Sequence, residues 1–156
     1  MLKKALSRIW KRLSPGMRAK LVRSTQSSFT VSATALITNE EGKVLLLNHV
    51  LRPDSGWGYP GGFLDKSEQA EDAIRPEVRE ETGIELDELR LRRVGTHGKH
   101  IEVLFFARGV GEPEVRSREI MELGWFGPDD LPKEMSQRQR DQIRKALSVH
   151  SSPEVY

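Results

Sequence analysis

The sequence contains no cysteine. This absence excludes disulfide bonds and thiolate metal sites, so any bound metal must be held by oxygen atoms or by histidine. The chain also lacks an apolar run near the ~20 residues that a helix needs to cross a bilayer. Its first residues are too basic for the apolar stretch of a secretion signal. We therefore expect a cytoplasmic protein, whose 156 residues suffice for one domain with a proper core.

Acidic residues are missing from the start of the chain, where the first of them is Glu40. Residues 1–24, which we call the basic arm, contain eight positive charges. Because the whole chain has a net charge of +2, the rest of it carries −6. The chain thus combines a basic N-terminal arm with an acidic body. The basic residues of the arm are Lys3, Lys4, Arg8, Lys11, Arg12, Arg18, Lys20 and Arg23.

The basic arm has apolar residues at helical spacing, with most of its basic residues on the other side. This pattern predicts two short helices that are separated at residues 14–16, Ser-Pro-Gly. Two interpretations stay open. One is a helix docked on the domain with its basic side in solvent, and the other is a weak contact with a membrane surface or a nucleic acid. The apolar residues are Leu2, Ala5, Leu6, Ile9, Trp10 and Leu13.

Residues 25–150 are predicted to form a single α/β domain, because strand patterns of period two are mixed with separated helical patterns. A C-terminal tail follows at residues 151–156. The central helix is expected to end at Gly83. The predicted elements are strands at 28–38 and 44–47, a glycine- and proline-rich loop at 53–62, a helix at 68–82, strands at 89–94, 101–107 and 121–126, and a helix from a cap at Ser136 to near Val149.

The central helix has an acidic face. Glu77, Glu80 and Glu81 share this face because they are three and four residues apart. Like charges at these spacings destabilise a helix by a few tenths of a kcal/mol per pair, and no basic residue on the face offsets them. Ala70 and Ala73 lie beside the glutamates and leave room for a ligand. Clustered carboxylates with space in front of them suit a hard cation such as Mg²⁺.

The loop before the helix supports a ligand site. Gly61 and Gly62 permit backbone conformations that other residues avoid, so a carbonyl or an amide can come close to a metal or a phosphate. Pro60 stiffens the entry to this pair. Glu68 lies upstream of the acidic face, where its carboxylate can return to the same site.

The spacing of these residues resembles the Nudix box, written G-x5-E-x7-R-E-U-x-E-E-x-G-U with U a bulky aliphatic residue. Gly62, five residues, Glu68, seven residues and then P-E-V-R-E-E-T-G-I from Pro76 match every fixed position except one. The flanks are similar too, with W-x-x-P-G-G at residues 57–62 and E-x5-W-F followed by D-x-L-P within residues 119–132. The resemblance covers roughly residues 28–148 and not the basic arm.

This resemblance implies an α/β/α sandwich with a mixed sheet and hydrolysis of a nucleoside diphosphate linked to another moiety. It also implies one or more Mg²⁺ or Mn²⁺ ions, which position the phosphate groups and neutralise their charge. By the resemblance, Glu80 and Glu81 are metal ligands, Glu77 is a ligand or the general base, Glu68 is a supporting carboxylate, Gly62 contacts the metal and Gly61 contacts the substrate through the backbone. A further catalytic carboxylate from outside the box, as ligand or base, is assigned to Glu119, with Glu122 as its rival.

Pro76 stands where the family has arginine. The arginine normally pairs with the box glutamates and orients them, here Glu77 first. Proline inside a helix also removes one backbone hydrogen bond and clashes with the carbonyl of Asp72, at a cost of ~3 kcal/mol or more. Either the enzyme is slower or compensated, or the chain is a Nudix-fold module that binds a nucleotide without catalysis.

Substrate contacts are expected beside the glycine loop. Arg52 is a candidate phosphate ligand, and Trp57 and Trp125 are candidates for stacking on a nucleobase. The alternatives are that Trp57 anchors the loop and that Trp125 belongs to the core. His97, Lys99 and His100 lie in a predicted turn, where they either contact phosphate or are solvated on the surface.

The substrate itself stays open. The first proline after the box is Pro113, which is later than in the ADP-ribose type. No tyrosine lies between Tyr59 and Tyr156, whereas the dinucleoside-polyphosphate type has one nearby. Nucleoside triphosphates and nucleotide sugars remain as the two expected substrate classes.

Overall fold

The computed structural model describes residues 2–52 and 55–150. The predicted tail at residues 151–156 and two residues of the predicted glycine-rich loop, Pro53 and Asp54, lie outside the described residues. The elements are α1 (Leu2–Arg12), α2 (Pro15–Thr25), β1 (Thr30–Thr38), β2 (Val44–His49), β3 (Trp57–Gly58), β4 (Gly61–Phe63), α3 (Ala70–Thr82), β5 (Glu85–His97), β6 (His100–Val110), β7 (Ile120–Phe126) and α4 (Gln137–His150).

The seven strands form one sheet, which is mixed as predicted although the sequence predicts only five of its strands. Its main path runs β3-β2-β1-β6-β5, while β4 pairs with β1 and β7 pairs with β2. The pair between β1 and β6 is parallel and the other pairs are antiparallel. The apolar β6 therefore lies inside the sheet, where both of its faces are covered.

Helices cover both faces of the sheet, so the predicted α/β/α sandwich is confirmed. Successive side chains of a strand point to opposite faces, and the core divides accordingly into two clusters. On one face, Ala35 and Leu45 pack with Ile74 of α3. On the other face, Leu36 and Leu46 pack in the cluster that contains Ile143 of α4.

α3 begins two residues later than predicted. Ser67 has a positive φ of 69°, so the chain turns before the helix and Gln69 precedes its first turn. Glu68 therefore lies in the turn, where its Oε2 accepts a hydrogen bond from the Asp65 N–H at 2.8 Å. The predicted end is confirmed, because Gly83 adopts a left-handed conformation and donates its N–H to the Arg79 carbonyl at 2.9 Å.

Pro76 lies on the exposed side of α3, and the helix continues through it. Ala73 departs from its prediction, because it is buried in the core rather than open beside the glutamates. Ala70 is only partly buried and packs on the edge of the same cluster. The room beside the acidic face is thus smaller than the sequence predicts.

The glycine-rich loop contains two short strands that the sequence did not predict. β3 pairs with β2, and β4 pairs with the central strand β1. Strands β5 and β6 are also longer than predicted and leave only residues 98–99 as a turn between them. Glycine has a low intrinsic strand preference, so these short strands exist because long partners supply their hydrogen bonds.

Ser136 caps α4, as predicted. Its Oγ accepts a hydrogen bond from the Gln139 N–H at 3.3 Å, and Gln139 Oε1 accepts one from the Ser136 N–H at 3.0 Å. This reciprocal arrangement is a capping box, which satisfies backbone donors that the first helical turn leaves free. The cap starts the helix that closes the second face of the sheet.

The basic arm forms α1 and α2, as predicted, but neither helix contains a buried residue. The interpretation of a helix docked on the domain by its apolar side is therefore wrong. Ser14 Oγ accepts a hydrogen bond from the Met17 N–H at 3.3 Å at the start of α2.

In the described residues no helix has both the length and the apolar character to cross a membrane.

Candidate active site

The acidic face of α3 is directed at the glycine pair of β4. The three box glutamates on this face differ in exposure: Glu81 is buried, Glu77 is partly buried and Glu80 is exposed. This grading arises because the apolar side of the helix, with Ile74 and Val78, faces the sheet. Glu81 therefore enters the protein interior while Glu80 stays accessible to solvent.

Glu81 is held by the backbone of β4. The Gly61 N–H donates a hydrogen bond to Glu81 Oε2 at 3.0 Å. Burial raises the pKa of Glu81 to about 7, although the Gly61 hydrogen bond and the positive charge of Arg52 act in the opposite direction. The sequence assigned Gly61 to substrate contact, whereas in this structure its N–H is used by a carboxylate.

His49 is a site residue that the sequence analysis did not identify. Its Nδ1 lies 3.7 Å from Glu81 Oε1. Burial lowers the pKa of His49 to about 4, so the imidazole is neutral at neutral pH and this contact is not an ion pair there. The signal was present, because His49 lies two residues after Leu47 on a strand, on the face that packs against α3.

Glu77 is surrounded by negative charge. Burial raises its pKa, and the neighbouring carboxylates of Glu80, Glu119, Glu68 and Asp65 raise it further. Every charged neighbour that shifts this pKa is therefore acidic. We call Glu68, Glu77, Glu80, Glu81 and Glu119 the carboxylate cluster.

Gly62 is needed for the position of Glu77. A Cβ atom at Gly62 would lie 2.5 Å from Glu77 Oε1 and 2.6 Å from its Cδ. Gly61 has a φ of 137°, and a Cβ there would collide with the Ala33 carbonyl oxygen of β1. The predicted close approach of the glycine pair is thus present. Gly62 lies against the Glu77 carboxylate, and Gly61 lies against the backbone of β1.

Glu119 and Glu122 occupy different environments. The charge of Glu119 raises the pKa of both Glu77 and Glu81. Its backbone carbonyl accepts the Val50 N–H at 2.8 Å, which fixes this segment beside the end of β2. Glu122 is exposed on β7 and is opposite Asn48 in the strand pair. The electrostatic arrangement favours Glu119 as the extra carboxylate.

The carboxylate cluster fits a divalent cation such as Mg²⁺. Its donors are oxygen atoms, and its mutual repulsion is the kind of field that a cation relieves. Among residues 2–52 and 55–150, no three or more acidic or histidine side chains form a cage that could hold a metal ion by itself. Such a cage is not required, because Mg²⁺ keeps several waters and uses one or two carboxylates together with substrate phosphates.

A cavity of about 900 Å³ lies between the sheet and α4. This volume is within the range of small-molecule sites. Five of its lining residues are cationic and one, Glu102, is acidic. Arg52 borders both regions, because it lines the cavity and its charge acts on Glu81. The cationic residues are Arg52, Arg92, Arg93, Arg138 and Lys145.

Arg52 is oriented by the backbone of the loop. Both of its terminal nitrogens lie 3.4 Å from the Tyr59 carbonyl oxygen, to which they donate. Gly58 makes room for the guanidinium, since a Cβ at this position would collide with Arg52 Nη1. The predicted phosphate ligand is therefore placed at the border of the cavity and the carboxylate cluster.

The structure does not favour Trp57 as a stacking platform. Its side chain is 5% exposed and packs edge-on against Phe126, with ring centroids 5.2 Å apart. A ring buried in this way borders the cavity but has too little free surface to cover a base. Trp125 packs against the core on the α3 side, as one of its two interpretations predicts.

His100 is also occupied by contacts within the protein. Its Nδ1 is 2.9 Å from Thr30 Oγ1, and its Nε2 is 3.0 Å from Ser32 Oγ. His97 and Lys99 are exposed at the end of the β5–β6 hairpin. His100 therefore joins β6 to β1, and a phosphate contact would require it to give up one of these bonds.

Comparison with known proteins finds a family and several relatives for this chain. The model of the family described as NUDIX domain matches residues 28–146. A MutT-like protein from Streptomyces ambofaciens is 32% identical over 111 residues, which cover 69% of this chain and 70% of that protein. The NAD-capped RNA hydrolase NudC from Salmonella paratyphi C is 30% identical over 95 residues, or 59% of this chain, and the match spans only 37% of that longer protein.

A solved structure has the same fold. The crystal structure of the MutT NUDIX hydrolase from Burkholderia pseudomallei superposes with a TM-score of 0.65 and is 32% identical in sequence. The match covers 75% of this chain and 97% of that one.

The two glycines of β4 should respond differently to a single methyl group. In Gly62→Ala the Cβ displaces the Glu77 carboxylate, so we expect kcat to fall by about 100-fold, the loss typical of a misplaced catalytic group, with little change in Tm. In Gly61→Ala the Cβ meets the backbone of β1, so Tm itself should fall. Thermal denaturation and turnover of both variants test this, and a Gly62→Ala protein with unchanged turnover would refute it.

Glu81 should make the metal-free protein less stable at high pH. Its folded pKa of about 7 lies above the ordinary value of 4.5, so its contribution to stability is complete below pH 4.5 and is lost as the pH rises through 7. Glu81→Gln stays neutral. The variant should therefore gain a few degrees in Tm over the natural protein at pH 8 but not at pH 5.

The measurement is thermal denaturation in EDTA at both pH values. The matched control is Glu80→Gln, because Glu80 is exposed. The Tm gained over the natural protein should change less between pH 5 and pH 8 for Glu80→Gln than for Glu81→Gln. His49 has a pKa of about 4, so it is mostly neutral at both pH values. If the Tm difference between Glu81→Gln and the natural protein is the same at pH 5 and pH 8, burial does not raise the pKa of Glu81.

Proposed function

This chain belongs to the Nudix hydrolase family, and from that premise we propose that it is a divalent-metal-dependent pyrophosphohydrolase. Its substrates are nucleoside diphosphates linked to another moiety, as in nucleoside triphosphates or nucleotide sugars. The observation that carries the proposal is the carboxylate cluster, which Arg52 connects to the cavity with cationic walls on the other face of the sheet. Such a pair of sites suits a phosphate chain that needs both metal and basic side chains. The cytoplasmic location predicted from the sequence belongs to the same proposal.

The residues that would hold Mg²⁺ or Mn²⁺ are Glu77, Glu80 and Glu81, with the Gly62 backbone beside them. When bound, the metal supplies neutralisation of phosphate charge and a lowered pKa of bound water. The Gly61 N–H donates a hydrogen bond to Glu81 Oε2 at 3.0 Å, which fixes the orientation of this carboxylate.

We assign to Glu119 the role of the base that accepts a proton from the attacking water. This residue is exposed, so water reaches it, and its charge acts on Glu77 and Glu81. Glu68 supports the site from the preceding turn, where its carboxylate accepts the Asp65 N–H and adds to the negative field at Glu77. Glu77 stays a metal ligand in this scheme, because it is the carboxylate that packs against Gly62.

The nucleoside part of the substrate is assigned to the cavity between the sheet and α4. Arg52 would contact the phosphate chain, since it borders both the cavity and Glu81. The remaining cationic walls favour a substrate with further negative charge. This choice agrees with the names of two relatives, the NAD-capped RNA hydrolase NudC and the 8-oxo-dGDP phosphatase NUDT18 of Mus musculus, which act on phosphorylated nucleotide compounds.

A nucleotide panel with Mg²⁺ and Mn²⁺, assayed for released phosphate or pyrophosphate, tests the proposal. Glu80→Gln together with Glu81→Gln should lower kcat by at least about 100-fold, because charge stabilisation of the phosphate is lost. The matched control is Glu122→Gln, an exposed carboxylate of β7 that should leave turnover unchanged. Unaltered turnover and metal binding in the double variant would overturn the site. Ligand-induced stabilisation without turnover of any panel member would instead show a binding module.

Pro76 offers a separate prediction, since the helix continues through it in spite of the lost hydrogen bond. Pro76→Ala restores the backbone N–H and should raise stability by less than the full ~3 kcal/mol penalty, because the helix already accommodates the ring. Pro76→Arg adds a guanidinium beside Glu77 and one turn before Glu80. It should raise kcat by about tenfold, through better orientation of these carboxylates.

Urea denaturation and turnover of the two variants separate these effects. Alanine should recover stability but little activity, whereas arginine should recover both. If arginine gives no more turnover than proline on a substrate that the protein binds, Pro76 is not the missing support. Another group would then hold the carboxylates in position.

A further inference from the structure

α1 exposes an apolar stripe that no other part of the described structure buries. Leu2, Leu6 and Ile9 follow one side of the helix at intervals of four and three residues. Leu2 is 74% exposed and Ile9 is 60% exposed, and Trp10 lies beside them on the same side. Contiguous apolar surface of this kind marks a site of interaction.

The other side of α1 carries five basic residues, and Ser7 is its one uncharged member. No acidic residue occurs in the basic arm, so nothing within it neutralises the charge. A nucleic acid would pair with these residues but would leave the apolar stripe in water. An apolar protein groove would cover the stripe without using the charges. The basic residues of α1 are Lys3, Lys4, Arg8, Lys11 and Arg12.

An anionic bilayer surface satisfies both sides together. At an anionic bilayer, acyl chains meet a layer of negative headgroups within a few ångströms, so an amphipathic helix buries its apolar side while lysine and arginine contact phosphate groups. Trp10 suits this boundary, because its ring is apolar and its N–H is polar. Charge complementarity and the exposed apolar stripe together therefore favour the membrane surface over a nucleic acid and over an uncharged apolar groove.

The length of α1 agrees with a helix that lies in the membrane plane. Eleven residues span roughly 16 Å at the rise of an α-helix, about half of the ~30 Å hydrocarbon core.

Two hydrogen bonds from Arg18 of α2 join α2 to the end of α1 and the residue that follows it. Arg18 Nε donates to the Leu13 carbonyl at 2.9 Å, and Arg18 Nη2 donates to the Lys11 carbonyl at 2.9 Å.

We infer that α1 docks the protein on an anionic membrane surface, with its apolar stripe among the acyl chains and its basic side on the headgroups. The rest of the chain carries a charge of −6 and is repelled by the same surface. The two charges therefore orient the molecule with the basic arm towards the membrane and the hydrolase domain towards the solvent. The inference is independent of the proposed hydrolytic function.

The test is sedimentation of the full chain with vesicles of phosphatidylcholine, alone or mixed with phosphatidylglycerol. Ile9→Asp should lower partitioning into the anionic vesicles by about tenfold or more, because it removes an inserted side chain and adds a repelled charge. The matched control is Leu91→Asp, which changes an equally exposed residue of β5, at 61% against 60%. This control should bind as the natural protein does, and both variants should keep their hydrolysis rate in solution.

Trp10 provides a second readout, of insertion itself. Its emission should shift to the blue with anionic vesicles and be quenched by brominated acyl chains, and Trp10→Phe should abolish the quenching. Equal vesicle binding by Ile9→Asp and the natural protein would overturn the inference. So would tighter binding of a single-stranded RNA than of the anionic vesicles, self-association through α1 without vesicle binding, or vesicle binding without any Trp10 quenching.

Discussion

The packing of the β4 glycines against the carboxylates of α3 is the contact on which the rest of the site depends. Gly61 donates its N–H to Glu81, and Gly62 leaves the space that Glu77 fills. Because β4 is paired with the central strand β1, the sheet itself sets the position of the glutamates. A cluster of carboxylates built in this way is more rigid than one built on a free loop.

This contact concentrates negative charge in a place that proteins normally keep neutral. One pKa unit corresponds to about 1.4 kcal/mol, so the raised pKa of Glu81 represents a real cost to the metal-free fold. The two apolar clusters on either side of the sheet offset it, and a cation that binds only the folded state recovers it. The opposite charge lies across the sheet, in the walls of the cavity, and Arg52 is where the two regions meet. A phosphate chain is the kind of ligand that uses both.

Particular residues show how far the sequence predicts the site. The shared face of Glu77, Glu80 and Glu81 follows from helical spacing alone, and Gly83 ends the helix as expected. Glu68 was placed in the helix wrongly, because the left-handed conformation of Ser67 depends on the turn around it. β3 and β4 were not predicted at all, since their strand character comes from the partners β2 and β1 and not from their own residues.

The sequence by itself determined the longer elements, the acidic face of α3, the glycine approach and the family, because all of these depend on spacing within one segment of chain. It also determined that the basic arm is helical and amphipathic. Only the tertiary structure decided that the apolar side of α1 stays uncovered, that Glu119 rather than Glu122 acts on Glu77, and that His49 lies beside Glu81. These are relations between residues distant in sequence, and they are set by how the sheet and helices pack. Local spacing carries no information about that packing.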